Sequence, residues 1–291
     1  MRPMPHLHQR MSCQSDKIAL KELNRKVAYP TPVFDRGLFR LRRTIKQSNV
    51  LAISDVARAI ESGIKCILYH RRQLERYIRR RPAYTLSLDP LPIEESAPEV
   101  VKLASLAAEV AQVGPMAAVP GALAELAVRD MILQGASVSL IENGGEIAAA
   151  SIQPLIVGIY AGASPLSGRI GFHLVLEDFP IGIATSSATV SHALNFGEAD
   201  AAVVVADTAS LADAAAKAVC NSVVGEDIEV SVQSGLDRAE SIRGVRGALV
   251  IRRNYIGTVG KLPRLIKLNG TREELFSASL QELPPQEIVL L

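Results

Sequence analysis

Gly182-Ile-Ala-Thr185-Ser186-Ser187-Ala-Thr189, followed by Ala201-Ala-Val-Val-Val-Ala-Asp207 and Leu211-Ala-Asp213-Ala-Ala-Ala-Lys217, decides the reading of this chain. A run of small hydroxyl residues leads to an apolar stretch that reads as a buried strand. The strand ends on an aspartate, and an Ala-rich helix with a second aspartate follows. Hydroxyls, open backbone N–H groups and carboxylates at a strand-to-helix junction can hold a phosphate-bearing ligand and its divalent cation.

Each residue also has a plainer role. Thr185, Ser186, Ser187 and Thr189 either close local turns on their own backbone or line an anion site. His192 either donates to a phosphate as a general acid or serves as a structural hydrogen-bonder. Asp207, between strand and helix, is expected to be the N-cap. Asp213 and Lys217, four residues apart on one helical stripe, form either a weak surface pair or a ligand contact. In the second case the carboxylate would meet Mg²⁺ and the ammonium a phosphate.

Upstream, Asn143-Gly144-Gly145 lies between two apolar runs and reads as a hairpin turn, since Asn and Gly tolerate positive φ. The same glycines would let a phosphate or flavin edge approach the backbone. Gly162-Ala-Ser164-Pro-Leu-Ser167-Gly168 is read as a turn.

The rest of the chain supplies the scaffold. Strands are expected over 38–45, 49–53, 136–141, 147–152, 155–161, 172–176, 181–185, 201–206, 248–252 and 255–259. A long helix should start at Ser54–Asp55, where Val56, Ile60, Ile64, Ile67, Leu74 and Ile78 form one stripe, and stop at Arg81-Pro82. Further helices are expected over 98–111, 115–134 and 208–221, with Pro120 confined to the first turns of its helix or kinking it. Helices followed by many short strands give an α+β fold, a sheet covered by helices on one face. Residues 1–27 read as a disordered tail and 28–291 as a single domain.

Composition narrows the function classes. No apolar stretch is long enough to span a membrane, and no apolar segment opens the chain as a secretory signal would, so the expected compartment is the cytoplasm. Cys13, Cys66 and Cys220 lie far apart, which argues against a zinc ribbon, a cluster or a disulfide framework. The net charge of +2 hides an imbalance. Residues 36–82 hold 13 Lys/Arg against 3 Asp/Glu, and residues 140–230 hold 2 against 11, so the halves could complement each other in a homodimer. Nucleic acid is a minor option, because no recognised motif accompanies the Arg71–Arg81 run.

With these residues the chain resembles the ApbE superfamily, known for FAD:protein FMN transferases, and more closely a prokaryotic branch carried as an uncharacterised protein family. The segments that carry the likeness are Val113-Gly-Pro-Met-Ala-Ala-Val, Glu142-Asn-Gly-Gly-Glu-Ile147, Val157-Gly-Ile-Tyr-Ala-Gly162, Gly182-Ile-Ala-Thr-Ser-Ser187, Phe196-Gly-Glu-Ala-Asp200 and Ala206-Asp-Thr-Ala-Ser-Leu-Ala-Asp-Ala214. The resemblance implies an ApbE-like, T-fold-related architecture. It also implies an FAD or FMN site partly built by the Asn-Gly-Gly turn, and Mg²⁺ on Asp213. Those transferases place a threonine four residues after the aspartate; here the residue is Lys217.

The expectation is therefore a flavin- or nucleotide-binding protein, with Mg-dependent FAD pyrophosphate cleavage or FMN transfer to a protein acceptor as its reaction. Asn143, Gly144, Gly145, Thr185, Ser186 and Ser187 would hold the cofactor and Asp213 the metal, with His192 and Lys217 catalytic. The alternative, favoured by Lys217, is a non-catalytic accessory or binding protein in sulfur amino-acid (homocysteine) metabolism.

Overall fold

The computed structural model describes residues 31–35, 37–189, 195–268 and 288–290. By its internal contacts the chain divides into Met1–Thr31 and Pro32–Leu291, and the second unit carries everything that follows. The expected tail, residues 1–27, lies outside the described residues.

Alternating apolar positions and tight turns build β1 (Val33–Asp35), β2 (Leu38–Ile45) and β3 (Ser48–Ser54). The chain then enters α1 (Ala57–Arg80), a short α2 (Ala83–Leu86), α3 (Glu99–Ala111) and α4 (Val119–Leu133). On α1 the stripe Ile60, Ile64, Ile67 and Leu74 is buried as its spacing requires, and Arg79 and Arg80 close the last turn. Pro120 falls within the first turn of α4, where its missing N–H has no intrahelical partner to lose.

Next come β4 (Val138–Asn143), β5 (Glu146–Ser151), β6 (Leu155–Gly158), β7 (Ile170–Leu174), β8 (Ile181–Ser186) and β9 (Ala201–Ala206). Two helices follow, α5 (Ala209–Ser222) and α6 (Ile228–Ser241), and then β10 (Val245–Arg252), β11 (Tyr255–Gly260), β12 (Arg264–Lys267) and β13 (Ile288–Leu290).

Nine strands form one antiparallel sheet in the order β1-β2-β3-β4-β5-β8-β9-β10-β11. A second sheet has the order β12-β7-β6-β13, with β13 parallel to β6. The helices cover one face of the large sheet: α1 meets β3, α4 meets β4 and β5, α5 meets β8 and β9, and α6 meets β10 and β11. Val204, Ala206, Ala248 and Val250 project into that helix-side core. The opposite face carries Leu140, Ile147, Ile183, Val203 and Val205, which pack with Leu155, Val157, Phe172 and Leu174 of the small sheet. The fold is α+β, as expected.

The helix-covered face is as expected, and the small sheet closes the other face. Two expectations need correction. Helix α6 was not expected: Val232, Leu236 and Ala239 are its buried stripe, and Asp227 caps it by accepting from Val230 N–H at 3.1 Å. The cap of α5 is Thr208, whose hydroxyl accepts from Leu211 N–H at 3.4 Å, while Asp207 pairs with Arg246 Nε at 2.7 Å. Among the described residues, no helix is long and apolar enough to cross a membrane.

Candidate functional site

One end of the large sheet gathers the last residues of β4 and β8 with the first residue of β5, beneath the body of α5. Asp213 is buried on the second turn of α5. Its Oδ2 accepts the backbone N–H of Gly121 in α4 at 2.8 Å. Such close approach needs a glycine: a Cβ at Gly121 would stand 2.3 Å from Ala209 O and 2.9 Å from the Cβ of Asp213.

Glu146, the first residue of β5, is buried on the same side and acts electrostatically on Asp213 and Lys217. Burial, the Asp213 charge and the Glu142 charge together hold the Glu146 carboxyl well above the ordinary carboxylate range. Burial pushes Asp213 up to about 8, against the opposing pull of the Gly121 N–H and the Lys217 ammonium. Lys217, half-buried one turn further along α5, is pulled downward by burial, while Cys220, Asp213 and Glu146 favour its charged form. Its Nζ donates to Asn195 Oδ1 at 2.5 Å. Ser186 Oγ donates to the same oxygen at 3.1 Å, and Asn195 Nδ2 donates to Ser187 O at 2.6 Å. The buried Cys220 thiol, which burial pushes up, is hydrogen-bonded to Ser186. Two carboxyls, an ammonium, an amide, a hydroxyl and a thiol thus meet at one place.

The structure brings Asp213, Lys217 and Ser186 together, and places other expected site residues differently. Asn143 is buried at the end of β4, with Nδ2 donating to Pro120 O at 3.0 Å and Oδ1 without a hydrogen-bond partner among the described residues. Gly144 and Gly145 have φ of +80° and +114°, so the turn requires glycine for its conformation. Their N–H groups are not open to a ligand, since both donate to Glu142 Oε1 at 3.0 Å. Thr185 cannot share a site with Ser186: along β8 it alternates with Ile181 and Ile183 toward the inter-sheet core. The Thr185 Oγ1 is buried there without a partner among the described residues. Ser187 closes a local turn, accepting from Thr189 N–H at 3.1 Å and meeting Thr189 Oγ1 at 3.2 Å. His192 lies outside the described residues.

Sequence reasoning missed Glu146, Asn195 and Gly121. Glu146 carries a signal in hindsight, as an acid opening the apolar stretch Ile147-Ala-Ala-Ala150. Asn195 carries none, because its loop meets α5 only in the folded chain. A cavity of about 290 Å³ at the opposite end of β8 and β9 is lined by Asp178, Val205, Arg246 and Lys261, among others. Its Arg246 is already engaged by Asp207, Asp178 O and Pro180 O, which makes it the weaker candidate.

The donor set does not fit a magnesium ion. Mg²⁺ takes one or two carboxylates and fills its octahedron with water and phosphate oxygens. Here one Asp213 oxygen is spent on Gly121 N–H, and an ammonium interacts with both carboxyls. Among the described residues, no group of three or more His, Cys, Asp or Glu side chains could hold a metal ion.

The fold is that of an ApbE-like protein. The family described as AbpE bacteria matches residues 35–243, and the chain belongs to it. The chain is 40% identical to the UPF0280 protein of Methanocaldococcus jannaschii over 242 residues, covering 82% of this chain and 98% of that one. It is 41% identical to the UPF0280 protein of Methanococcus vannielii, covering 79% and 94%. The ApbE protein of Thermotoga maritima superposes with a TM-score of 0.52 at 11% identity, over 76% of this chain and 96% of that one. The flavinyl transferase ApbE of Pseudomonas stutzeri, in its apo form, gives 0.50 at 13% identity, over 76% and 94%. At those identities the structural likeness shows the shared fold.

Proposed function

We propose that the protein binds a flavin nucleotide at the Glu146–Asp213–Lys217 cluster, with transferase-like chemistry at the nucleotide phosphates as its activity. The observation that carries this reading is the half-buried Lys217 ammonium, seated by Asn195 and flanked by Asp213 and Glu146 in a fold shared with a flavinyl transferase. In water an ammonium is a weak phosphate ligand. Held in place and partly desolvated, it stabilises negative charge that builds on a phosphate oxygen. Asp213 and Asn195 orient it, and Glu146, whose carboxyl burial and neighbouring charge hold well above the ordinary range, is the group able to give a proton to a departing oxygen. FMN transfer to a protein acceptor and FAD pyrophosphate cleavage both need these roles.

A second reading is binding without turnover, as in an accessory protein of sulfur amino-acid (homocysteine) metabolism. Closure of the Gly144–Gly145 turn by Glu142 supports it, since that turn offers a ligand no N–H group.

Absorbance of the purified protein, flavin fluorescence titration with FAD, and AMP release on incubation test the proposal. Quenching with AMP release supports chemistry at the phosphates, and quenching alone supports the second reading. FAD that neither binds nor breaks down removes both flavin readings.

A further inference from the structure

We infer that the Lys217 ammonium takes the place of a divalent cation in this site, so that a phosphate-bearing anion binds there without metal. The identity of that anion as a flavin nucleotide rests on the reading above; the exchange of metal for ammonium does not.

Four observations lead to it. Helix α5 puts Asp213 and Lys217 on one face, one turn apart, and Glu146, buried at the start of β5, acts on the pair electrostatically. Once ionised, carboxyls so arranged would attract a cation, and here the chain supplies its own. One Asp213 oxygen is committed to the Gly121 N–H, an interaction locked by the lack of room at that glycine. The ammonium is seated: Asn195 Oδ1 accepts from it and from Ser186, while Asn195 is held by Ser187 O. A side chain fixed from a strand and a loop stays where it is when a metal ion approaches. Like charges then repel the ion from the Asp213–Glu146 pair. The anion gains instead a charge-assisted hydrogen bond from a cation that is already partly desolvated.

The decisive measurement uses the full chain and Mn²⁺ as a paramagnetic stand-in for Mg²⁺. The EPR signal of free Mn²⁺ should be undiminished by the wild-type protein. Lys217→Thr, which removes the ammonium and adds a neutral oxygen, should acquire one Mn²⁺ site, and adding Asp213→Asn should abolish it. In parallel, FAD fluorescence quenching should be the same in EDTA and in excess Mg²⁺ for the wild type. For Lys217→Thr the affinity in EDTA should fall about tenfold or more, as loss of a charged hydrogen bond predicts. Lys217→Arg keeps the charge and should keep binding in EDTA; thermal melts confirm that each variant folds.

Stoichiometric Mn²⁺ on the wild type that disappears in Asp213→Asn overturns the inference, as does FAD binding that requires Mg²⁺. If FAD fails to bind, inorganic pyrophosphate separates the two claims. Stabilisation of the wild type by pyrophosphate in EDTA, lost in Lys217→Thr, upholds the ammonium site and discards the flavin. No response to either ligand overturns both.

Discussion

The backbone N–H of Gly121 and the Oδ2 of Asp213 are 2.8 Å apart, a hydrogen bond between α4 and α5 that depends on an absent methyl group. Gly121→Ala would drive a Cβ against the Ala209 carbonyl and the Asp213 side chain. Overpacking of this kind costs about 1–3 kcal/mol, and a strained bond to a buried carboxyl adds to it. Urea denaturation should show a loss near the top of that range; a neutral result would mean that the helices separate freely here.

Asp213 also sets a pH dependence. Its folded-state pKa of about 8 lies far above the unfolded value, so the folded protein binds the extra proton between the two. Stability should therefore fall as pH rises through that window, by up to about 1.4 kcal/mol for each pH unit, and level off above the folded value. Glu146, raised in the same direction, steepens the slope. Asp213→Asn keeps an acceptor for Gly121 N–H and should flatten it, as unfolding curves taken from pH 5 to about 9 would show. An unchanged slope would mean that Asp213 is ionised throughout.

Asp55 behaves oppositely. Burial raises its pKa, but hydrogen bonds from the Ser137 hydroxyl and the N–H groups of Ser137 and Val138 outweigh that and hold it low. Its stabilisation is present above the unfolded pKa and lost as pH falls through the folded one. Asp55→Asn should cost about 1.5–3 kcal/mol at neutral pH, with the difference from wild type shrinking in acid. Chemical denaturation at pH 7 and at about 3 checks both halves.

Glu142 holds the Gly144–Gly145 turn through one oxygen. Glu142→Gln retains an acceptor and removes a charge that burial disfavours, so its stability should stay within about 0.5 kcal/mol of wild type. Glu142→Ala strands two N–H groups and should cost about 1 kcal/mol. Equal melting temperatures for the two variants would show that the turn stands without its carboxylate.

How much the sequence revealed depended on whether a residue's partners were near it in the chain. The α1 stripe, the position of Pro120 and the turn at Gly144 follow from spacing and backbone preference, and they hold. Helix α6 escaped because Val230, Val232 and the polar residues around them blur its period, while its stripe is completed by contact with β10 and β11. The hydroxyl run was legible as a cluster but not as two faces: strand alternation turns Thr185 away from Ser186. Asp213 and Lys217 could be paired by their spacing. Their companions Glu146, Asn195 and Gly121 come from elsewhere in the chain, and only folding introduces them.

Asp213, Lys217 and Cys220 all ride on α5, whereas Glu146 and Ser186 belong to the sheet beneath it. Sliding the helix along its axis would carry the first three as a rigid ruler past the other two, preserving every spacing within each set. Gly121 is the stop on that ruler. Substitutions where α4 crosses α5 can thus retune the charge balance of the cluster without altering any of its members.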